Sequence, residues 1–250
     1  MNKIAELHSQ IGEMETISVR EFGKSMVIAP HPDDETLGCG GTVALLRKLG
    51  ISVHFMFVSD GSMSHPNSKK FSAEKLMKLR EKEAKKAVRI LGGEIENVEF
   101  MRLKDSLVPH EDDDHFLEIV EKMAERINEI KPDTVFVPWQ KDPHCDHQAT
   151  WEIMHEAVKK ANVKPRFIEY PIWLWELGNQ DDVMLIDHMK KWAVNIEDTL
   201  DLKNKALAAH VSQVTNFIDD DPEGFILSPE VIAHFDIPRE LFFESENGVK

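Results

Sequence analysis

Apolar and polar positions fall along the chain in blocks that predict strands followed by helices. Residues 26–29 (MVIA) form a short apolar run that reads as a buried strand and breaks at Pro30. Val43-Ala44-Leu45-Leu46 then resumes an apolar pattern that suits a helix running to about Leu49 and stopped by Gly50. Residues 52–58 (SVHFMFV) predict a second strand with mixed alternation, and residues 98–103 a third, short one. Between them Leu76, Leu79, Ala84, Ala87, Val88 and Leu91 recur at helical spacing, and Gly92-Gly93 end that helix. A further helix displays Phe116, Val120, Met123, Ile127 and Ile130 and closes at Lys131-Pro132. The acids Asp112, Asp113 and Asp114 precede it, where caps and the helix dipole favour negative charge. Residues 134–138 (TVFVP) predict a strand, and His147 opens a helix reaching about Ala161.

The ends are less regular. Ile4, Leu7, Ile11 and Met14 predict a short amphipathic helix. Residues 166–175 are dense in aromatics, 183–196 suit a hairpin, and 200–214 read as helical. Strands alternating with helices over 25–161 predict an α/β fold with a mostly parallel, doubly wound sheet and a less regular C-terminal part. With no repeat and no low-complexity linker, residues 1–250 are expected to form a single domain.

A composition of 42% hydrophobic and 30% charged residues is that of an ordinary globular protein. The net charge of −15 argues against a nucleic-acid surface, which attracts Lys and Arg, but leaves room for a local cation in a small-molecule site. Two cysteines, Cys39 and Cys145, are too few for a disulfide framework. The first 24 residues are too charged for a signal peptide, and no apolar run approaches a membrane span, so a cytoplasmic location is expected. Oligomeric state is open, a homo-oligomer included.

Chemistry concentrates in two loops, each after an apolar strand, where ligands bind in open α/β sheets. The first holds His31, Pro32, Asp33, Asp34 and Glu35; the second holds Pro143, His144, Cys145, Asp146 and His147. Catalytic zinc takes three protein ligands and keeps a position for water. His31, Asp34 and His147 would form such a set, leaving Asp33 as base. His144, three residues before His147, would face the substrate as acid or oxyanion stabiliser. Asp146 would orient an imidazole. The same residue types also serve as caps and loop hydrogen bonders. Ferrous iron accepts the same ligands as zinc.

Other readings of these stretches are weaker. Gly38, Gly40 and Gly41, with Asp60 downstream, suggest a dinucleotide fingerprint, but its third glycine position holds Val43. The glycines are expected instead to allow close packing beside the site. Cys145 beside His144 suggests a thiol nucleophile, although a small buried thiol is the expected state. Residues 170–175 (YPIWLW) suit either a sugar-binding wall or core packing. Residues 59–62 line the same cleft or simply form a turn.

Pro30-His31-Pro32-Asp33-Asp34-Glu35 closely resembles the A-H-P-D-D-E signature of the PIG-L/LmbE-like zinc-dependent N-deacetylases, with Pro30 in place of alanine at a non-ligand position. His144-Cys145-Asp146-His147 resembles that family's H-x-D-H motif, in the same order and at the same wide separation. Arg80 with Glu83 is similar to its arginine-bearing helix, and residues 205–213 (KALAAHVSQ) to its late A-L-x-x-H-x-S-Q segment. The likeness covers most of 25–215. It implies a Rossmann-like fold, zinc on His31, Asp34 and His147, and Asp33 as general base. It further implies a protonated His144 that stabilises the oxyanion and helps the amine leave, with Arg80 and His210 near the substrate. The implied reaction removes an N-acetyl group from an N-acetylglucosamine-type amino sugar or conjugate. An amidase acting on a thiol-sugar conjugate shares that chemistry. A metal-dependent phosphoesterase would gather more carboxylates around two ions, and a zinc-stabilised binding module would close its site with four ligands, mostly Cys.

Overall fold

The computed structural model describes residues 3–245 and 249. Seven strands form one sheet: β1 (Ser25–Ala29), β2 (Val53–Ser59), β3 (Val98–Leu103), β4 (Thr134–Pro138), β5 (Arg166–Tyr170), β6 (Met189–Asn195) and β7 (Arg239–Ser245). Their order is β3-β2-β1-β4-β5-β7-β6. The first five are parallel, with Val27 opposite both Phe55 and Phe136, and β7 runs antiparallel between β5 and β6. The helices are α1 (Lys3–Gln10), α2 (Asp34–Lys48), α3 (Ala73–Ile90), α4 (Phe116–Ile130), α5 (Cys145–Lys160), α6 (Leu174–Leu177), α7 (Gln180–Asp187), α8 (Leu200–Leu207), α9 (Val211–Val214) and α10 (Pro229–Ala233).

Strands β1 and β4 are buried along their whole length. That is why they read as unbroken apolar runs rather than alternating ones. Side-chain alternation divides them between two cores. Val27, Ala29 and Phe136 pack with Leu37 of α2 and with Ala84 and Val88 of α3. Met26, Ile28, Val135 and Val137 pack on the opposite face with Val120 and Ile127 of α4 and Ile153 of α5. Helices therefore cover both faces, as a doubly wound sheet requires. Strand order reverses between β1 and β4, so the loops after these strands diverge and leave a crevice at their carboxyl ends.

The glycines of α2 serve close packing, as expected. A Cβ on Gly38 would stand 2.3 Å from the ring of Tyr170, and one on Gly41 2.6 Å from Ile196. No described helix is long and apolar enough to cross a membrane.

Three expectations are corrected. Residues 183–196 are not a hairpin: Asn179 accepts the N–H groups of Asp181 and Asp182 and starts α7, whose buried Val183 and Ile186 share a core with Ile4 and Leu7. Only β6 follows, paired to β7, a strand not anticipated from the sequence pattern. The helix over 200–214 is broken at His210, which leaves helical backbone angles between α8 and α9. The acids before α4 do not cap it. Its N-cap is His115, in a left-handed conformation at φ 70°, with no side-chain cap bond, and Asp113 instead accepts the N–H of His110 at 2.9 Å.

Candidate active site

The loop after β1 delivers its side chains through the start of α2. The Asp34 carboxylate accepts the His31 N–H at 2.9 Å, which curls the loop back over the helix N-terminus. Asp33 is the N-cap, and its backbone lies at φ 145°, far from the ordinary L-residue regions. The loop after β4 ends at His144, the N-cap of α5, so Asp146 and His147 project from that helix's first turn. Both loops sit at the switch point, and their side chains meet.

His31 Nδ1 lies 3.4 Å and His147 Nε2 3.2 Å from one oxygen, Asp34 Oδ2. Donors held about 2.0–2.1 Å from one ion at tetrahedral angles stand about 3.4 Å apart. His147 is fully buried, and neither ring nitrogen makes a hydrogen bond of good geometry. A buried imidazole without such partners, beside a carboxylate at tetrahedral edge length, fits a metal ion. His31, His144 and His147 also bring their ligand atoms within 4.8 Å of one another.

Carboxylates behind the histidines fix the rings. His31 Nε2 is 3.0 Å from Asp146 Oδ2 and 3.3 Å from Asp105 Oδ1, and His147 Nδ1 is 3.2 Å from Asp142 Oδ1. Asp146 thus faces the His31 imidazole and is itself held by the N–H groups of Ser106 and Val108. Burial opposes charge on both rings, but the carboxylates outweigh it. They raise His31 well above its ordinary value and push His147 up to about 9. Burial would likewise raise Asp34, yet the imidazoles hold it well below the usual carboxylate range. Asp105 and Asp142 do not stand out in the sequence. Both follow strands of the parallel sheet, β3 and β4, and that position was the signal available.

Asp33 Oδ2 accepts from Arg80 Nη2 at 3.2 Å. Burial raises the Asp33 pKa to about 6; Arg80 pulls it back in part, and Asp34 adds to the rise. Arg80 also donates to the carbonyls of Gly61 and Pro32, at 3.0 and 2.9 Å. The 59–62 loop therefore reaches the site through a backbone oxygen.

His144 Nδ1 accepts the backbone N–H of Asp146 at 3.1 Å. A backbone N–H can only donate, so Nδ1 carries no proton and the neutral ring bears its proton on Nε2. Burial and the charges of His31 and His147 lower the His144 pKa to about 4. This differs from the protonated His144 expected from the resemblance.

Two further expectations are corrected. His210 is fully buried behind the site and does not line the cavity; its Nε2 lies 3.2 Å from Glu35 Oε1. Cys145 is exposed rather than buried, with its Sγ 4.0 Å from His144 Nδ1 and 3.9 Å from Asp146 Oδ1.

Above these groups opens a cavity of about 200 Å³. Its floor is His31, Asp33, Asp34, Arg80, Asp105 and His144, and its wall includes Leu37, Met63, Trp173, Phe225 and Leu227. The aromatic stretch 170–175 is thus divided: Tyr170 is buried and donates to the Ile28 carbonyl at 2.7 Å, whereas Trp173 lines the cavity.

Residues 26–158 match the family model described as PIG-L, GlcNAc-PI de-N-acetylase. The chain is 31% identical over 216 residues to a Bacillus subtilis protein named "Probable N-acetyl-alpha-D-glucosaminyl L-malate deacetylase 2", across 83% of this chain and 91% of that protein. It is 28% identical over 195 residues to the diacetylchitobiose deacetylase of Thermococcus kodakarensis, across 76% of this chain and 70% of that protein. The structure of N,N'-diacetylchitobiose deacetylase from Pyrococcus horikoshii shares the fold, with a TM-score of 0.69, 22% identity, and coverage of 97% of this chain and 92% of that one.

Proposed function

This chain belongs to the PIG-L family, and from that premise we propose that it hydrolyses the N-acetyl group of an N-acetylglucosamine-type amino sugar or its conjugate, releasing acetate and a free amine. One observation supports this above the others. His31 Nδ1 and His147 Nε2 each lie at metal-ligand spacing from Asp34 Oδ2, at 3.4 and 3.2 Å, and Asp33, a carboxyl with a pKa near 6, lines the cavity beside them.

In this reading His31, Asp34 and His147 hold a divalent ion, zinc by preference of the donor set and ferrous iron by the same ligands. When bound, the ion supplies a Lewis acid that polarises the acetyl carbonyl and acidifies a water. Asp33 takes the proton of the attacking water. Its raised pKa leaves it ionised at neutral pH yet more basic than an ordinary carboxylate. Arg80 keeps it oriented. His144 donates Nε2–H to the carbonyl oxygen as that atom gains charge, and its Nδ1 bond to Asp146 N holds the ring in that tautomer. A neutral His144 has no second proton to give. The proton that Asp33 took therefore passes to the departing nitrogen as the C–N bond breaks, which balances the hydrolysis.

The test is acetate release from a panel of N-acetylated sugars and conjugates, with and without chelator. Acetate that chelator abolishes and added zinc restores supports the reading. A protein holding one metal per chain that releases no acetate from any member overturns it.

A further inference from the structure

Resting on the deacetylase reading above, we propose that the substrate carries, beyond its N-acetylated sugar, an uncharged group with an apolar or aromatic face, and that Trp173, Phe225 and Met63 select it.

The cavity has two chemically distinct ends. Its floor is ionic, whereas its mouth is formed by Met63 and Phe225, which are 40% and 39% exposed, with half-buried Trp173 beside them. The Trp173 and Phe225 rings meet edge to face, centroids 5.8 Å apart at 74°. Large apolar side chains gathered at the rim of a cavity mark a contact surface for a ligand. Paired rings at right angles offer one face and one edge to a flat or apolar group.

This wall is built, not incidental. The backbone N–H of Trp173 donates at 2.9 Å to Asp142 Oδ2, and the other oxygen of that carboxylate faces His147, so the wall is tied to the residues beneath the floor. The Phe225 N–H donates to the Ser64 carbonyl at 2.6 Å, and Leu227 N–H to Gln213 O at 2.8 Å. Farther along the same segment, Asp220 accepts from Ser68 and from the N–H groups of Lys69 and Lys70, while Asp221 accepts the Asn67 N–H. Two segments that form the mouth are thus clasped to each other.

Charge argues the same way. Among the described residues lining the cavity, Arg80 is the one guanidinium or ammonium group, and it donates to Asp33, Pro32 O and Gly61 O. Asp33, Asp34 and Asp105 line the same space. At the mouth itself, beside Trp173, Phe225 and Met63, no described lysine or arginine lines the cavity to pair with a carboxylate on the outer part of the substrate.

The experiment compares kcat/KM for acetate release from three substrates: an aryl N-acetylglucosaminide, an N-acetylglucosaminide whose other group is a hydroxydicarboxylate, and free N-acetylglucosamine. The aryl conjugate is expected to exceed the dicarboxylate by about a hundredfold. In Trp173→Ala and in Phe225→Ala, the preference for the aryl conjugate over the free sugar is expected to fall about tenfold, mainly through KM, and Trp173→Phe to recover most of it. A dicarboxylate conjugate cleaved as well as or better than the aryl one overturns the proposal, as does an undiminished aryl preference in both alanine variants. Calorimetric binding of the aryl glucosaminide product separates the two readings, since it needs no turnover. Tight binding without acetate from any substrate overturns the deacetylase reading and leaves the wall; turnover without aryl preference overturns the wall alone.

Discussion

The backbone N–H of Asp33 donates to Glu35 Oε2 at 2.9 Å, across a residue whose φ of 145° belongs to no ordinary L-residue region. Glu35 is fully buried, and its other oxygen accepts from Thr36 Oγ1 at 2.6 Å and faces His210 Nε2 at 3.2 Å. Strained backbone of this kind costs about 1–3 kcal/mol and persists only where its surroundings over-determine it. The buried Glu35–His210 pair supplies that constraint, and Arg80 grips the Asp33 carboxylate from the other side. His210, expected at the substrate, thus acts one layer behind it.

Glu35→Gln keeps the shape but loses the anion that His210 and two donors share. We expect kcat to fall about tenfold to a hundredfold, because a displacement of about 1 Å at a reacting group costs that much. Metal content per chain should match wild type. Asp33→Asn should also keep its metal while losing about 10²- to 10⁴-fold in kcat. Metal analysis beside steady-state kinetics checks both, and a wild-type rate in Asp33→Asn removes that residue from the base role.

Asp142 faces His147 Nδ1 with one oxygen and accepts the N–H groups of Ile172 and Trp173 with the other. Asp142→Asn should weaken metal binding about 10- to 100-fold, the usual effect of removing a carboxylate behind a ligating histidine. Competition with a chromophoric chelator measures it. Unchanged affinity would place the metal on other residues.

Gly38→Ala drives a methyl into the Tyr170 ring, which is fully buried and anchored to Ile28 O. Overpacking of this kind costs roughly 1–3 kcal/mol. The expected readout is a Tm lower by several degrees. Gly12, whose added Cβ meets nothing within 4 Å, is the control: Gly12→Ala should leave Tm near the wild-type value.

Glu169 on β5 is buried, and burial raises its pKa from 4.5 to about 7. Between these values the folded chain binds more protons than the unfolded one, so its contribution to stability falls as pH rises. It is fully present below about 4.5 and lost above about 7. Denaturant unfolding of wild type and Glu169→Gln at pH 5 and pH 8 isolates it. The wild type should lose more stability than the variant across that interval, by roughly 1–3 kcal/mol; parallel losses would show that Glu169 does not titrate there.

The strands, the helices of the first 160 residues and the two loops of His and Asp were legible in the sequence because each is a local property. Burial on both faces makes β1 and β4 continuous apolar runs, and helical spacing marks α3 and α4. The residues of the candidate metal site lie in His31–Asp34 and His144–His147, short segments whose composition alone is distinctive. Partners contributed from elsewhere were not legible. Asp105 and Asp142 look like ordinary loop acids until β3 and β4 bring them behind His31 and His147. The tautomer of His144, the exposure of Cys145, the retreat of His210 to Glu35 and the pairing of β7 between β5 and β6 depend on groups far apart in the chain. Periodicity and spacing report what a segment does with its own neighbours. Which carboxylate meets which imidazole, and which Trp lines the cavity rather than the core, is decided only when the sheet order and the packing of α2 against Tyr170 set the distances.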